Sequence, residues 1–168
     1  MPTKAPAASE YLEELRAAVH AMTRERFEAR YPWCFLGVMP PGTDMTIQYT
    51  TRSARVDFDA PIKGTPLVDL IPMTKTSAYS GPTSLVVGRS RACDLWLNDA
   101  SVSKTHARFT LVKQRPVALT DLGSRNKTHL NGEPLTPQIA VDVRMGDDIL
   151  FGSVPVRLLE ARDLHALL

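Results

Sequence analysis

Residues 117–132 read Val117-Ala118-Leu119-Thr120-Asp121-Leu122-Gly123-Ser124-Arg125-Asn126-Lys127-Thr128-His129-Leu130-Asn131-Gly132. An apolar run of strand length at 117–122 gives way to a Gly/Ser/Asn loop. Asn131-Gly132 is then a strong two-residue hairpin signal, because both residues tolerate positive φ. Outward from this stretch, apolar runs of strand length recur at 85–87, 95–97, 107–112, 139–143, 148–151 and 154–159, punctuated by Gly, Asp, Asn and Pro. Many short strands with frequent turns predict a mainly β protein built as a β-sandwich. Residues 67–71 read as its first strand, 75–82 as a loop, and 163–168 as a short closing helix. Trp96 and Phe109 read as core side chains.

The chain before residue 67 has a different texture. Leu12, Leu15, Val19 and Met22 recur at spacings of three and four, which is one face of an amphipathic helix. The helix is expected over about 9–30, with Ser9 as N-cap, Phe27 continuing the buried side, and the end set by Tyr31-Pro32. A continuous apolar run follows at 34–39, a Pro/Gly turn at 40–44, and alternating segments at 45–50 and 55–58. Together these predict a small β-meander on which the helix packs. Residues 59–66 are linker-like, so the expected division is an N-terminal extension at 1–66 and a sandwich domain at 67–168.

Composition narrows the function. The hydrophobic fraction is 43%, enough for a packed core. No stretch approaches the roughly 18–20 apolar residues of a membrane span, and the N-terminus lacks the apolar segment of a secretory signal, which predicts a cytoplasmic protein. Cys34 and Cys93 each lie among apolar residues and read as small buried hydrophobes rather than a disulfide or metal pair. The net charge of +2 is too weak to argue for nucleic acid. Residues 1–82 hold 9 basic and 9 acidic residues, and residues 83–168 hold 11 and 9. The second half's surplus sits largely in loops, at Arg89, Arg91, Lys104, Arg125 and Lys127, which fits a small local positive site. The Asp residues form no Asp-x-Asp-x-Asp-Gly loop, and there is no Walker-type loop or GxGxxG, so neither metal nor cofactor is expected. Ser103 and His106 lack an identifiable orienting acid, so they do not read as a catalytic pair, and no enzyme activity is expected.

Four loop segments hold the chemistry: Gly88-Arg89, Ser103-Lys104-Thr105-His106, Gly123-Ser124-Arg125-Asn126 and Asn131-Gly132. None contains a carboxylate. Arg89 offers a planar fork suited to a phosphate dianion, Ser103 a hydroxyl, Lys104 and Arg125 cationic donors, and Asn126 an amide able to hold an extended peptide. The order Leu85-Val86-Val87-Gly88-Arg89, Val102-Ser103-Lys104-Thr105-His106-Ala107, Asp121 to Thr128, Leu130-Asn131-Gly132 and Met145 to Gly152 resembles the forkhead-associated (FHA) family over about residues 67–160.

That resemblance implies a twisted sandwich of about eleven strands whose apical loops bind phosphothreonine peptides. It implies that Arg89 and Ser103 contact the phosphate, that Arg125 stands beside the phosphothreonine, and that Lys104 and Asn126 hold the peptide backbone. Ser101 falls where such domains read a residue after the phosphothreonine. Gly88, His106, Asn131 and Gly132 are implied to shape the loops. The family usually has glycine where this chain has Lys127, so Lys127 is either the mark of a changed turn or an added phosphate contact. The implied function is a phosphothreonine-dependent adaptor in serine/threonine kinase signalling, whose partner is such a kinase or its substrate. The alternative is a phospho-independent scaffold that uses the sandwich face or self-associates through the N-terminal helix stripe.

Overall fold

The computed structural model describes residues 8–31, 34–43, 67–76 and 81–168. In chain order these form α1 (Ala8–Ala21), α2 (Arg24–Arg30), β1 (Cys34–Val38), β2 (Asp69–Pro72), β3 (Ser84–Gly88), β4 (Leu95–Trp96), β5 (Ala107–Val112) and β6 (Arg115–Asp121). They continue through β7 (Thr128–Leu130), β8 (Glu133–Pro134), β9 (Ala140–Asp142), β10 (Asp148–Phe151), β11 (Val154–Glu160) and α3 (Ala161–Leu167). A six-stranded sheet runs β2-β1-β11-β10-β7-β8, and a five-stranded sheet runs β4-β3-β5-β6-β9. The eleven described strands make the expected sandwich.

Between the sheets lies a core of Leu85, Val87, Phe109, Leu119, Ile149, Phe151, Val156 and their neighbours. A second core forms on the outer face of the six-stranded sheet. There Leu12, Leu15, Val19 and Phe27 of the first two helices and Leu164 of α3 cover Phe35, Leu70 and Leu159. This accounts for the unbroken apolar run at the start of β1. Its alternate residues Cys34 and Leu36 enter the inter-sheet core while Phe35 enters the helical one, so both faces of the strand are buried.

Three expectations change here. The helix expected over 9–30 is two helices, broken where Thr23 takes an extended backbone (φ −68°, ψ 154°) before α2. The break turns Phe27 inward against Tyr31 and the edge of the His165 ring. Ser9 lies inside α1 rather than before it. Cys34–Val38 does not stand in a separate meander: it pairs antiparallel with both β11 and β2, with Phe35 opposite Leu159 and Pro72. The expected strands at 45–50 and 55–58 and the linker at 59–66 lie outside the described residues. Because Leu12, Leu15 and Val19 are buried against the chain's own sheet, that stripe is not open to a second copy.

Both cysteines are free and buried, and burial pushes the Cys34 thiol up to about 11. Among the described residues, no helix is long and apolar enough to cross a membrane.

Candidate functional site

The end of β3, the β4–β5 loop and the β6–β7 loop meet at one tip of the sandwich. Backbone hydrogen bonds bring the first two together: Arg89 N–H donates to the Ser103 carbonyl at 2.9 Å and Ser90 N–H to the Lys104 carbonyl at 3.1 Å. The approach is so close that a Cβ on Gly88 would lie 2.2 Å from the Lys104 carbonyl oxygen and 2.9 Å from Cys93 Sγ, so only glycine fits. Side chains join the third loop. Arg125 N–H donates to Ser103 Oγ at 3.0 Å, and Asn126 Nδ2 donates to the Ser101 carbonyl at 2.7 Å.

His106 is the buried bolt behind these loops. Its Nδ1 accepts from Ser103 N–H at 3.0 Å, so its proton sits on Nε2, which donates to the Lys127 carbonyl at 3.1 Å. Burial pushes the imidazole below its ordinary value, against the opposing pull of the Lys127 carbonyl and Asp121. The neutral ring is the form this geometry needs, since a proton on Nδ1 would remove the acceptor for Ser103 N–H. The ring also stands edge-on to Phe151 at 5.6 Å, tying the tip to the inter-sheet core.

Among the expected contact residues, Arg89, Lys104, Arg125, Asn126 and Lys127 are exposed and Ser103 is half-buried. Arg89 Nε donates to the Val102 carbonyl at 3.2 Å, and its terminal nitrogens have no partner among the described residues. Lys127 keeps the turn that glycine would make, with φ at +68°. Its carbonyl accepts from both His106 and Gly152 N–H, which holds the backbone in that region.

Ser101 is engaged inside the protein. Its hydroxyl donates to Asp99 at 2.6 Å and lies within hydrogen-bond distance of both the backbone N–H and the hydroxyl of Ser153. Asn131 bonds Asp147 and the Asp148 N–H, pinning the β7–β8 turn to β10, and Gly132 takes φ +87° in that turn.

The sequence reading missed Asp121. Its carboxylate is fully buried and accepts four hydrogen bonds: from Gly123 N–H and Ser124 N–H at 2.8 Å, Ser124 Oγ at 2.5 Å and Thr128 Oγ1 at 2.6 Å. Burial pushes its pKa up, but the hydrogen bonds win and hold it below the usual carboxylate range. The available signal was an Asp followed by a glycine at i+2 and a serine at i+3, the spacing of an Asx turn. Trp96 was also misread as core. It is 36% exposed on an edge strand, with its indole N–H donating to the Arg89 carbonyl at 3.1 Å. His129 on β7 is half-buried, and its Nδ1 is enclosed without a partner among the described residues.

The β-sandwich thus fastens three loops at one tip and leaves their cations exposed. Residues 85–152 match the FHA domain. The chain is 35% identical over 71 residues to the oxoglutarate dehydrogenase inhibitor of Corynebacterium efficiens, covering 42% of this chain and 46% of that protein. It is 28% identical over 130 residues to the glycogen accumulation regulator GarA of Mycolicibacterium smegmatis, covering 65% and 79%. The chain thus spans about half the length of its corynebacterial relatives. The solution structure of an FHA domain from an Arabidopsis thaliana hypothetical protein matches with a TM-score of 0.51 at 21% identity, over 77% of this chain and 86% of that one. At that identity the likeness is one of fold.

Proposed function

We propose that this chain is a non-catalytic adaptor that binds a phosphothreonine segment of a partner protein. The observation that carries this reading is Arg89, fixed through Nε to the Val102 carbonyl, exposed, and without a carboxylate partner among the described residues. Its free terminal nitrogens match two phosphate oxygens. In this reading Ser103 and Arg89 hold the phosphate, Arg125 stands beside it, and Lys104 and Asn126 hold the peptide backbone. The binding unit is residues 67–168 together with the strand supplied by Cys34–Val38. A serine/threonine kinase acts upstream, on itself or on its substrate, and in this reading the protein works in the cytoplasm. Related proteins are named as an inhibitor and a regulator, which supports an adaptor over an enzyme.

Charge-assisted hydrogen bonds contribute roughly 1.5–3 kcal/mol each, so two or three of them separate phosphorylated from bare peptide by several kcal/mol. A buried threonine methyl adds only about 0.8 kcal/mol, or roughly four-fold over phosphoserine, unless it also orients the phosphate. The test is calorimetric titration with a peptide selected from a degenerate phosphothreonine library and with its phosphoserine and unmodified forms. The expected order is phosphothreonine, then phosphoserine, with the bare peptide at least about 100-fold weaker. Equal binding of the phosphorylated and bare peptides overturns the reading.

Lys127 enters as an auxiliary phosphate contact. A lysine in the left-handed region costs about 1 kcal/mol relative to glycine. Lys127→Gly is therefore expected to raise the thermal midpoint by about 2–4 °C and to weaken phosphopeptide binding. Opposite movement of the two readouts marks a residue kept for contact at the expense of stability.

A further inference from the structure

Arg91 lies two residues beyond Arg89 in the β3–β4 loop and has no part in the phosphate cradle described above. Its guanidinium carbon sits 4.6 Å from the centre of the Trp96 ring. Trp96 in turn holds the Arg89 carbonyl through its indole N–H at 3.1 Å. One exposed aromatic side chain on β4 therefore fixes the backbone of one arginine and the head group of another.

The loop between them is itself fastened. Ser90 N–H donates to the Lys104 carbonyl at 3.1 Å, Cys93 N–H to the Ser90 carbonyl at 3.0 Å, and Ala92 N–H to Ser90 Oγ at 3.3 Å. Arg91 is exposed, and no carboxylate pairs with it among the described residues. The two arginines are anchored differently. Arg89 is bonded to the β4–β5 loop through Val102, while Arg91 lies on the β4 indole.

We propose that Arg91 is a specificity-determining residue that reads an acidic side chain flanking the phosphothreonine in the partner. The proposal rests on the phosphothreonine reading above. A guanidinium held over an indole leaves N–H donors free for a carboxylate, which it can take in a two-pronged geometry. Stacking also removes part of the rotamer freedom that an unsupported arginine would lose on binding. The surrounding cations at Lys104, Arg125 and Lys127 add to the attraction for an acidic segment and repel a basic one.

The experiment uses a phosphothreonine peptide with neutral flanks and a series in which single Asp or Lys residues are placed at each flanking position. Each is titrated against the full chain and against Arg91→Ala and Arg91→Glu. For the native chain, Asp at one or two positions is expected to tighten binding roughly three- to ten-fold over the neutral peptide. Arg91→Ala brings that ratio close to one, and Arg91→Glu shifts the preference to Lys at the same positions. If the native chain binds neutral and acidic series alike while still rejecting the unphosphorylated peptide, the Arg91 proposal is overturned and the phosphothreonine reading stands. The same holds if the acidic preference survives both substitutions. If the native chain ignores phosphorylation, the underlying reading fails and the Arg91 proposal with it.

Discussion

Replacing Arg89 with alanine is expected to weaken binding of the phosphothreonine peptide by roughly 30- to 1000-fold, the equivalent of about 2–4 kcal/mol. Stability should move little, because the side chain is exposed and its one internal contact is the Nε bond to the Val102 carbonyl. That bond ties the guanidinium to the β4–β5 loop, so in the proposed reading its terminal nitrogens meet the phosphate already oriented. Arg89→Lys keeps the charge but loses the fork and the tie to Val102, and should recover only part of the affinity, leaving a deficit of about ten-fold. Calorimetry gives the affinities and a thermal melt gives the control. An alanine variant that melts normally and still binds phosphopeptide like the native chain would move the phosphate away from this tip.

The sandwich was legible because its signals are local. The runs at 107–112 and 148–151 are strands with those same limits, since each is an apolar stretch closed off by polar turns. Asn131 and Gly132 take φ +50° and +87°, as their chemistry permits at low cost. What escaped was decided by distant parts of the chain. Cys34–Val38 has no local mark that assigns it between β2 and β11, where a helix layer covers its second face. No glycine or proline interrupts residues 9–30, so the sequence alone runs the helix on across Thr23, and packing of Phe27 against His165 of α3 accompanies the break. The β5–β6 turn is a further case. Lys113 and Gln114 carry no turn signal, yet both adopt positive φ, at 49° and 63°, because the twist of the paired strands demands it.

The site divides the same way. The exposure of its cations is readable from residue types in loops, because a charged side chain in a polar turn stays in solvent. Trp96 is not, because whether an indole packs inward or lies on an edge strand under an arginine depends on a neighbour supplied by a different segment. Ser101 exposes the limit of position-by-position inference. Its hydroxyl is already occupied by Asp99 and Ser153, so at this position the serine braces the loop against the β10–β11 turn.

Asp121→Ala is expected to cost about 3–5 kcal/mol of folding stability, the largest effect of any substitution at the tip. The carboxylate touches no exposed surface. Removing it strands the Gly123 and Ser124 N–H groups and the hydroxyls of Ser124 and Thr128, which close the loop that presents Arg125 and Asn126. Phosphopeptide affinity should fall too, although Asp121 is a positioning residue with no ligand contact. Asp121→Asn keeps the shape and one acceptor oxygen but introduces an NH2 group facing the hydroxyls, so its cost should be smaller.

Acid titration separates the effect of the lost charge from that of the new NH2 group. The Asp121 pKa is held below the ordinary carboxylate value in the fold, so the unfolded chain takes up the proton first as the pH falls. The stabilisation is therefore complete above the ordinary carboxylate value and disappears as the pH drops through the lowered one. Denaturant midpoints measured from neutral pH into acid should converge for the native chain and Asp121→Asn, because protonation removes what the amide already lacks. A constant gap between the two curves would mean that the cost of Asp121→Asn comes from the NH2 group facing the Ser124 and Thr128 hydroxyls, and that the loop holding Arg125 and Asn126 is closed by something other than a buried negative charge.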